Sequence, residues 1–459
     1  MTILFEKNKV LVIGMGKSGL ASAKYLLKNG ARVVLCDSKN VDKNSGILIE
    51  LKNLGDIEFI LGKNPTSSEL KNIDFAVVSP GVPLDLDYIV ELRENKKVIM
   101  SEIELAYRIG LDKNLHFIGI TGTNGKTTTT SIVGEIFKST EWESYVVGNI
   151  GNPAVQAADE ASENSVLVTE LSSFQLESIV EFRPEISAVL NLTEDHMNRH
   201  HTMQNYALAK SNIFVNQNKD DKCILNYDDD LTHDMGLNNP ADVVYFSRKE
   251  KLDSGIYLDD EGNIVFSKDG SIEKIINKKE LSLPGSHNLE NCMAAIGIAI
   301  SYGIDKDIIV RVLKTFKAVE HRLEYVDTVN GVKYVNDSKG TNPDSTIKAV
   351  QSYEEPIVLI AGGYDKGSDF SELFDVAKKN VSSVIALGET AELIGKTAIK
   401  FGIVNIHKAA SMKDAVEISK EISKDGDIVL LSPACASWGM YNNYEERGND
   451  FKKCVSEIK

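Results

Sequence analysis

The sequence predicts an α/β protein of three domains: an N-terminal Rossmann-like doubly wound domain, a central P-loop ATPase-like α/β domain, and a C-terminal Rossmann-like α/β domain. Three observations carry this. Lys9 to Asp37 and Phe117 to Phe137 each read as an apolar strand, a glycine-rich turn and an apolar-periodic helix. After Val319 strands again alternate with helices. The length, 459 residues, exceeds what a single core supports.

In the first domain VLVIG is a strand, Ser18 to Lys28 a helix and RVVLCD the next strand. Gly14, Gly16 and Gly19 form G-x-G-x-x-G between strand and helix. Asp37 follows about 20 residues later, where an acidic group can hold a ribose hydroxyl. Taken alone the motif says NAD or FAD, but any nucleotide diphosphate suits such a crevice. FAVVSPGVP is a further strand, and its Ser79-Pro80-Gly81 turn is either a ligand edge or simple punctuation. The domain is expected to end near Met100.

The second domain opens on FIGITGTNGKTTTTSIVGEIF. Gly122 and Gly125 let backbone N–H groups curl around phosphate oxygens, and the helix that follows points its positive end at the same anion. Lys126 would reach the β/γ-phosphates, and the Thr127 hydroxyl would ligate Mg²⁺. Ile120 stands five residues before Gly125, so the loop is a shortened G-x-x-G-K-T. VVGNIGNP places Asn149 in a glycine-rich turn, and SVLVTE delivers Glu170 to the end of a buried strand. A carboxylate there is where a nucleotide-bound Mg²⁺ expects a ligand. A strand ending at Asn191 leads to Glu194, Asp195 and His196; a histidine beside acids at a strand end suits a metal or phosphate role. Tyr206 to Val215 reads as a helix carrying Lys210. A hairpin, GIYLDD-EG-NIVFS, precedes LPGSHNLEN, where Pro284-Gly285 stops one element and Asn288 can cap a long helix with Asn291 on its first turn.

In the third domain His321-Arg322 precede a hairpin with an Asn330-Gly331 turn. NDSKGTNPDS gathers a carboxylate, a lysine and hydroxyls at a helix N-terminus; a cap explains Asp337 or Ser338 but not Lys339. IVLIAGGYDKG is a strand with a second glycine loop carrying Lys366, and DIVLLSPACASWGMYNNYEERG is a last strand and polar loop.

Composition narrows the function. Apolar residues make up 42% and charged residues 26%, ordinary for a globular chain. The formal net charge of −16 argues against nucleic acid or an anionic membrane as the main partner. No apolar stretch reaches the ~18 residues of a membrane span. The start, MTILFEKNKVLVIGMG, lacks the order of a signal peptide. Five scattered cysteines with no C-x-x-C pair fit a reducing cytoplasm and neither a disulfide frame nor a zinc site.

TGTNGKT, ELSSFQLE, NLTEDHMNRH, LPGSHNLEN, HRLE, NDSKGTN and SPACAS…RG stand in this order along essentially the whole chain. As a set they resemble the Mur ligases, in which the shortened phosphate loop is a family trait. ELSSFQLE and SPACASWGMYNNYEERG favour the branch that adds D-glutamate over the one that adds L-alanine. The chain divides into expected domains at 1–100, 101–318 and 319–459, and the resemblance implies a ligase of peptidoglycan precursor synthesis, expected to be cytoplasmic and monomeric. Its substrates would be ATP, UDP-MurNAc-L-Ala and D-glutamate. ATP would convert the alanyl carboxylate to an acyl phosphate, which the D-glutamate amine attacks.

The resemblance also implies roles. Gly122, Thr123, Asn124, Gly125, Lys126, Thr127 and Thr128 would hold the ATP phosphates, with Asn291, Arg322 and Asp337 serving the rest of ATP. Thr127 and Glu170 would bind one Mg²⁺. A second would lie at His196 and at Lys210, the latter carbamylated by CO₂. Gly14, Gly16, Lys17, Ser18, Gly19, Asp37, Ser38, Ser79, Pro80, Gly81 and Asn149 would bind the UDP substrate. Lys339, Thr341, Lys366, Ser437 and Tyr444 would surround D-glutamate. The family more often has Phe where Tyr444 stands, and Trp438 is a second departure. Two other classes, a nicotinamide oxidoreductase and a nucleotide sensor without turnover, leave the second domain's lysines and acids without work.

Overall fold

The computed structural model describes residues 5–42, 45–283, 285–317 and 320–458. Val319 and Pro284, named above as a domain start and an element stop, lie outside the described residues. Among the described residues three separate sheets are built from twenty strands.

The first sheet is wholly parallel: β1 (Lys9–Ile13), β2 (Arg32–Asp37), β3 (Ile57–Leu61), β4 (Phe75–Val78) and β5 (Val98–Ser101), in the order β3-β2-β1-β4-β5. Its strands are almost continuously apolar because helices cover both faces. The chain leaves β1 toward β2 on one side and reaches β4 on the other, so a crevice opens beyond the C-terminal end of β1.

The second sheet runs β14-β13-β12-β11-β10-β9-β6-β8-β7. Its parallel part comprises β6 (His116–Thr121), β7 (Ser144–Gly148), β8 (Val166–Glu170), β9 (Ile186–Val189), β10 (Lys222–Asn226), β11 (Asp242–Ser247) and β12 (Gly255–Leu258). β13 (Asn263–Lys268) and β14 (Ser271–Asn277) extend it antiparallel, with β12 and β13 forming the expected hairpin. Here β6 is the switch strand, flanked by β8 and β9.

The third sheet runs β15-β16-β20-β17-β18-β19. Its strands are β15 (Glu324–Val329), β16 (Val332–Asn336), β17 (Ile357–Gly362), β18 (Val381–Leu387), β19 (Ile406–Ala409) and β20 (Ile428–Leu431). Only β15 is antiparallel. Asn330 and Gly331 both have positive φ, 51° and 81°, as a two-residue hairpin turn requires.

The chain forms two compact units. One holds the first two sheets, in Met1–Leu192, Gln204–Glu280 and Glu290–Lys314; the other holds the third sheet, in Thr193–Met203, Leu281–Leu289 and Thr315–Lys459. Among the described residues no helix is long and apolar enough to cross a membrane, and all five cysteines are buried and free.

Several element boundaries differ from expectation. The first helix starts at Lys17, one residue early. β9 stops at Val189 instead of Asn191, because Asn191 turns away to brace the phosphate loop. The helix carrying Lys210 is Met203–Ser211, and its last turn tightens into a 3₁₀ segment at Asn212–Phe214. The long helix starts at Ser286, just past Gly285 with φ 95°, so Asn288 lies inside it and Asn291 on its second turn. The polar loop after β20 gives way to a helix, Tyr444–Glu457, capped by Asn443.

Candidate active site

In the first unit β6 runs straight into the phosphate loop. Gly122 (φ 147°) and Gly125 (φ 84°) take backbone conformations that L side chains rarely adopt, and Gly125 caps the helix Lys126–Lys138. The loop is braced from β9: Asn124 N–H donates to Asn191 Oδ1 at 2.9 Å, and Asn191 Nδ2 returns a bond to Asn124 O at 3.0 Å. Lys126 Nζ donates to the carbonyls of Gly122 (2.8 Å) and Thr123 (2.7 Å). A Cβ on Gly125 would stand 2.1 Å from Asn291 Oδ1, so Asn291 lies directly against the loop. Lys210 is only 1% exposed. Its Nζ donates to Gly122 O at 2.8 Å and lies 4.8 Å from the centroid of the Tyr206 ring. Thr123, Asn124, Thr127 and Thr128 are buried in the same turn.

Glu170 ends β8, paired in register with Ile120 of β6. Asn149 Nδ2 donates to Glu170 Oε1 at 2.8 Å, and Asn149 N–H donates to the Glu170 carbonyl at 2.9 Å. Glu170 Oε2 is buried and has no hydrogen-bond partner among the described residues. An orphaned carboxylate oxygen one strand from a Lys-Thr phosphate loop could hold a hard cation. The donor set, carboxylate and hydroxyl oxygen, suits Mg²⁺. No group of three or more His, Cys, Asp or Glu side chains stands ready as a metal cage among the described residues.

The crevice of the first sheet is built by its loops. Asp37 Oδ2 accepts from Met15 N–H at 2.7 Å, and Ser79 Oγ donates to Gly14 O at 3.3 Å. A Cβ on Gly19 would lie 1.9 Å from Gly14 O, so only glycine lets the helix approach the loop this closely. Nothing lies within 4 Å of a Cβ built on Gly16, which faces open space. A cleft of about 180 Å³ is lined by Gly14, Asp37, Ser38 and Gly81, together with Lys63, Asn64 and Tyr88. Lys17, Ser18, Ser79 and Pro80 do not line it.

The second unit has its own site. The loops after β16, β20 and β17 lie side by side because β20 inserts between the other two strands. Tyr364 N–H donates to Ala436 O at 2.9 Å, tying the Lys366 loop to the Ser437 loop, and the Tyr364 and Trp438 rings meet edge-on at 5.5 Å. Lys339 Nζ lies 3.1 Å from Tyr444 Oη and 4.8 Å from the ring centroid. Asp337 is buried, accepting from Ser432 Oγ (2.8 Å) and Leu323 N–H (3.3 Å). Burial pushes its carboxyl up to about 6, against the pull of the Arg322 charge. Arg322 Nε is buried without a hydrogen-bond partner among the described residues. The helix after this loop is capped by Asn342, with Pro343 at its start, and not by Asp337 or Ser338. A cleft of about 440 Å³ gathers Glu194, Asp195 and His196 with Asn342, Asp344 and Lys366. Asp195 is its hub: Lys366 Nζ lies 3.6 Å from it, Asn342 Nδ2 3.2 Å and His196 Nε2 3.6 Å. His196 adopts a left-handed backbone, φ 57°. Thr341 is half-buried and Ser437 buried.

Comparison with known proteins decides the family. Residues 8–101 match the Mur ligase MurD-like N-terminal domain, 120–299 the Mur ligase middle domain, and 321–435 the Mur ligase glutamate ligase domain. The UDP-N-acetylmuramoylalanine--D-glutamate ligase of Clostridioides difficile (strain 630) is 56% identical over 98% of this chain and 99% of its own. The chain belongs to the Mur ligase family. The enzyme of the same name from Thermoanaerobacter sp. (strain X514) is 48% identical over 98% of each chain. Among solved structures, UDP-N-acetylmuramate-alanine ligase MurC of Thermotoga maritima aligns at TM-score 0.61 and 20% identity, over 98% of this chain and 100% of its own. The MurF ligase of Thermotoga maritima, solved with ADP, aligns at TM-score 0.61 and 16% identity over 100% of both. These two share the three-domain Mur ligase fold.

Lys63 and Asn64, which line the first-sheet cleft, escaped the sequence reading, and Arg447 was given no role in it. Lys63 and Asn64 follow Gly62 at the C-terminal end of a parallel strand, the same position that singled out Asp37. Arg447 is 2% exposed, and its guanidinium donates to Ser338 Oγ (3.0 Å), Ser338 O (2.7 Å) and Cys435 O (3.1 Å). It ties the β16 loop to the β20 loop across more than ninety residues of sequence. The sequence carried it only as the RG that closes the SPACAS…RG motif, with no role attached.

Proposed function

We propose that this Mur ligase joins D-glutamate to UDP-MurNAc-L-Ala at the expense of ATP, in the cytoplasm and as a monomer. The observation that carries the substrate choice is the 56% identity, over nearly the full length, to a ligase bearing that name. Domain boundaries near residues 100 and 318 belong to the same reading.

A carboxylate does not react with an amine in water, because its leaving group would be oxide. ATP therefore transfers its γ-phosphoryl group to the alanyl carboxylate, giving an acyl phosphate and ADP. The neutral D-glutamate amine attacks the acyl carbon, and the tetrahedral adduct gives up one N–H proton and expels phosphate, which can carry that proton away, to leave the amide. The enzyme's part is mainly positioning and neutralisation of charge. Gly122 to Thr128 cradle the phosphates, and Lys126 exchanges its two loop carbonyls for the transferring group. Mg²⁺, when bound, spreads the phosphate charge. Thr127 and the orphaned oxygen of Glu170 would hold one ion, and His196 with a carbamylated Lys210 a second. Asn291, Arg322 and Asp337 serve the remainder of ATP. The first-sheet crevice, from Gly14 to Gly19 with Asp37, Ser38, Ser79, Pro80 and Gly81, takes UDP in place of NAD. Lys63, which lines the same cleft and pairs with Glu69 at 3.0 Å, would bring a positive charge toward the diphosphate. Lys339, Thr341, Lys366, Ser437 and Tyr444 receive D-glutamate, whose two carboxylates match two lysines.

The test is phosphate release from ATP with each UDP-muramoyl precursor and each amino acid. Release should require Mg²⁺, UDP-MurNAc-L-Ala and D-glutamate together. Equal or faster release with UDP-MurNAc and L-alanine would overturn the assignment in favour of the L-alanine-adding ligase.

A further inference from the structure

Glu102 is the first residue of the helix Glu102–Asp112, immediately after the last strand of the first sheet. It is 1% exposed, and it has no place in the chemistry described above. Its Oε1 accepts from Val155 N–H at 2.7 Å. Val155 is the second residue of the helix Ala154–Glu160, which begins where the glycine turn of Asn149 ends. That turn has two anchors. At one end Asn149 N–H bonds Glu170 O and Gly148 N–H bonds Asn152 O; at the other the helix start is gripped by Glu102. Gly148 (φ 101°) and Gly151 (φ 67°) give the turn little stiffness of its own, since glycine adopts such angles as readily as others. A second carboxylate on the same helix works alongside. Glu104 Oε2 accepts from the N–H groups of Val180, Glu181 and Phe182 at 2.8–2.9 Å, fixing the chain that leaves the Glu170 segment.

We infer that Glu102 is a positioning residue: its carboxyl oxygen holds the start of the 154–160 helix, and through it the turn that presents Asn149 to Glu170. A substrate contact and a metal seat thereby depend on a side chain that touches neither. What the position needs is an acceptor oxygen and not a charge. Glu102 Oε2 is buried with no partner among the described residues, and burial pushes the carboxyl up to about 7. The kinetic consequence rests on the functional reading above; the structural consequence does not.

Hydrogen exchange and steady-state kinetics on the full-length enzyme test it, with Glu102→Ala and Glu102→Gln. In the Ala variant, exchange of the 149–155 amides should quicken about tenfold, the scale of one lost buried hydrogen bond, while β6 and the 126–138 helix keep their protection. KM for UDP-MurNAc-L-Ala should rise about tenfold on the same scale, with KM for ATP unchanged. The Gln variant keeps the acceptor and should match wild type in both measurements, even if the Ala variant does not fold. Unchanged or uniformly faster exchange in the Ala variant, or a Gln variant with its 149–155 turn loosened, would overturn the inference. Wild-type enzyme without D-glutamate-dependent turnover would defeat the functional reading and leave the exchange result to judge Glu102.

Discussion

Asn149 Nδ2 donates to Glu170 Oε1 across 2.8 Å, and the other oxygen of that carboxylate is buried without a partner among the described residues. One oxygen orients the group, and the proposed function gives the other to Mg²⁺. Burying an acceptor without a partner costs about 1–3 kcal/mol, which a bound ion would recover. Glu170→Gln fills the same volume without the charge. It should lower kcat by about a hundredfold or more, as loss of a charge-stabilising group typically does, and raise the Mg²⁺ concentration needed for half-maximal rate. A Mg²⁺ titration of initial rates checks this; an unchanged midpoint would refute it.

Two glycines of one loop should behave oppositely. Gly14 has φ 95°, and an added Cβ would lie 2.8 Å from Ser79 Oγ, whereas Gly16 faces open space. Gly14→Ala should lower the melting temperature. Gly16→Val should leave it unchanged yet raise KM for the UDP substrate and spare that for ATP, because the branched side chain stands where a diphosphate must approach. A Gly16→Val effect confined to ATP would contradict the crevice assignment.

Lys210 is sealed beneath the phosphate loop, with its Nζ on the Gly122 carbonyl. Carbamylation would turn this cation into an oxygen ligand of the kind Mg²⁺ prefers. Lys210→Ala should lose most activity while ATP still binds through Lys126 and Thr127. Short carboxylic acids added to the variant should restore part of the rate by filling the vacated place. Near-normal turnover without them would remove the idea.

Asp337 makes stability depend on pH. Its buried carboxyl is raised from 3.8 to about 6. Between those values the folded chain keeps a proton that the unfolded chain has released, so its contribution, full below 3.8, is lost as pH rises through about 6. Asp337→Asn should flatten this limb and be the more stable protein above it, by on the order of 2 kcal/mol, while binding ATP less well. Melting curves of both proteins from acid to neutral pH give the difference; a pH-independent difference would refute it.

Arg447 spans two loops with a planar fork that a lysine cannot reproduce. Arg447→Lys should cost about 2–3 kcal/mol, the scale of a lost buried hydrogen bond from a charged group, and raise KM for D-glutamate more than KM for ATP. Thermal unfolding and the two KM values decide it.

Local patterning alone carries the character of the three sheets, the phosphate loop, the G-x-G-x-x-G turn, the strand-end positions of Asp37 and Glu170, and Lys366 in the glycine loop after its strand. Each is written in a few adjacent residues: apolar period, a glycine whose φ must be positive, a lysine and threonine at a helix start. Which of these meet depends on long-range packing. β20 enters between β16 and β17, so loops some ninety residues apart share an edge and Arg447 can bind both. The segment Thr193–Met203 packs with the third sheet's unit, although the chain on either side belongs to the other. Glu102 and Glu104 look like ordinary surface acids of an amphipathic helix until N–H groups from 155 and 180–182 close on them. Local patterning specifies an element and its face, whereas strand order and long-range hydrogen bonds arise from packing between residues far apart in sequence, which no local period records.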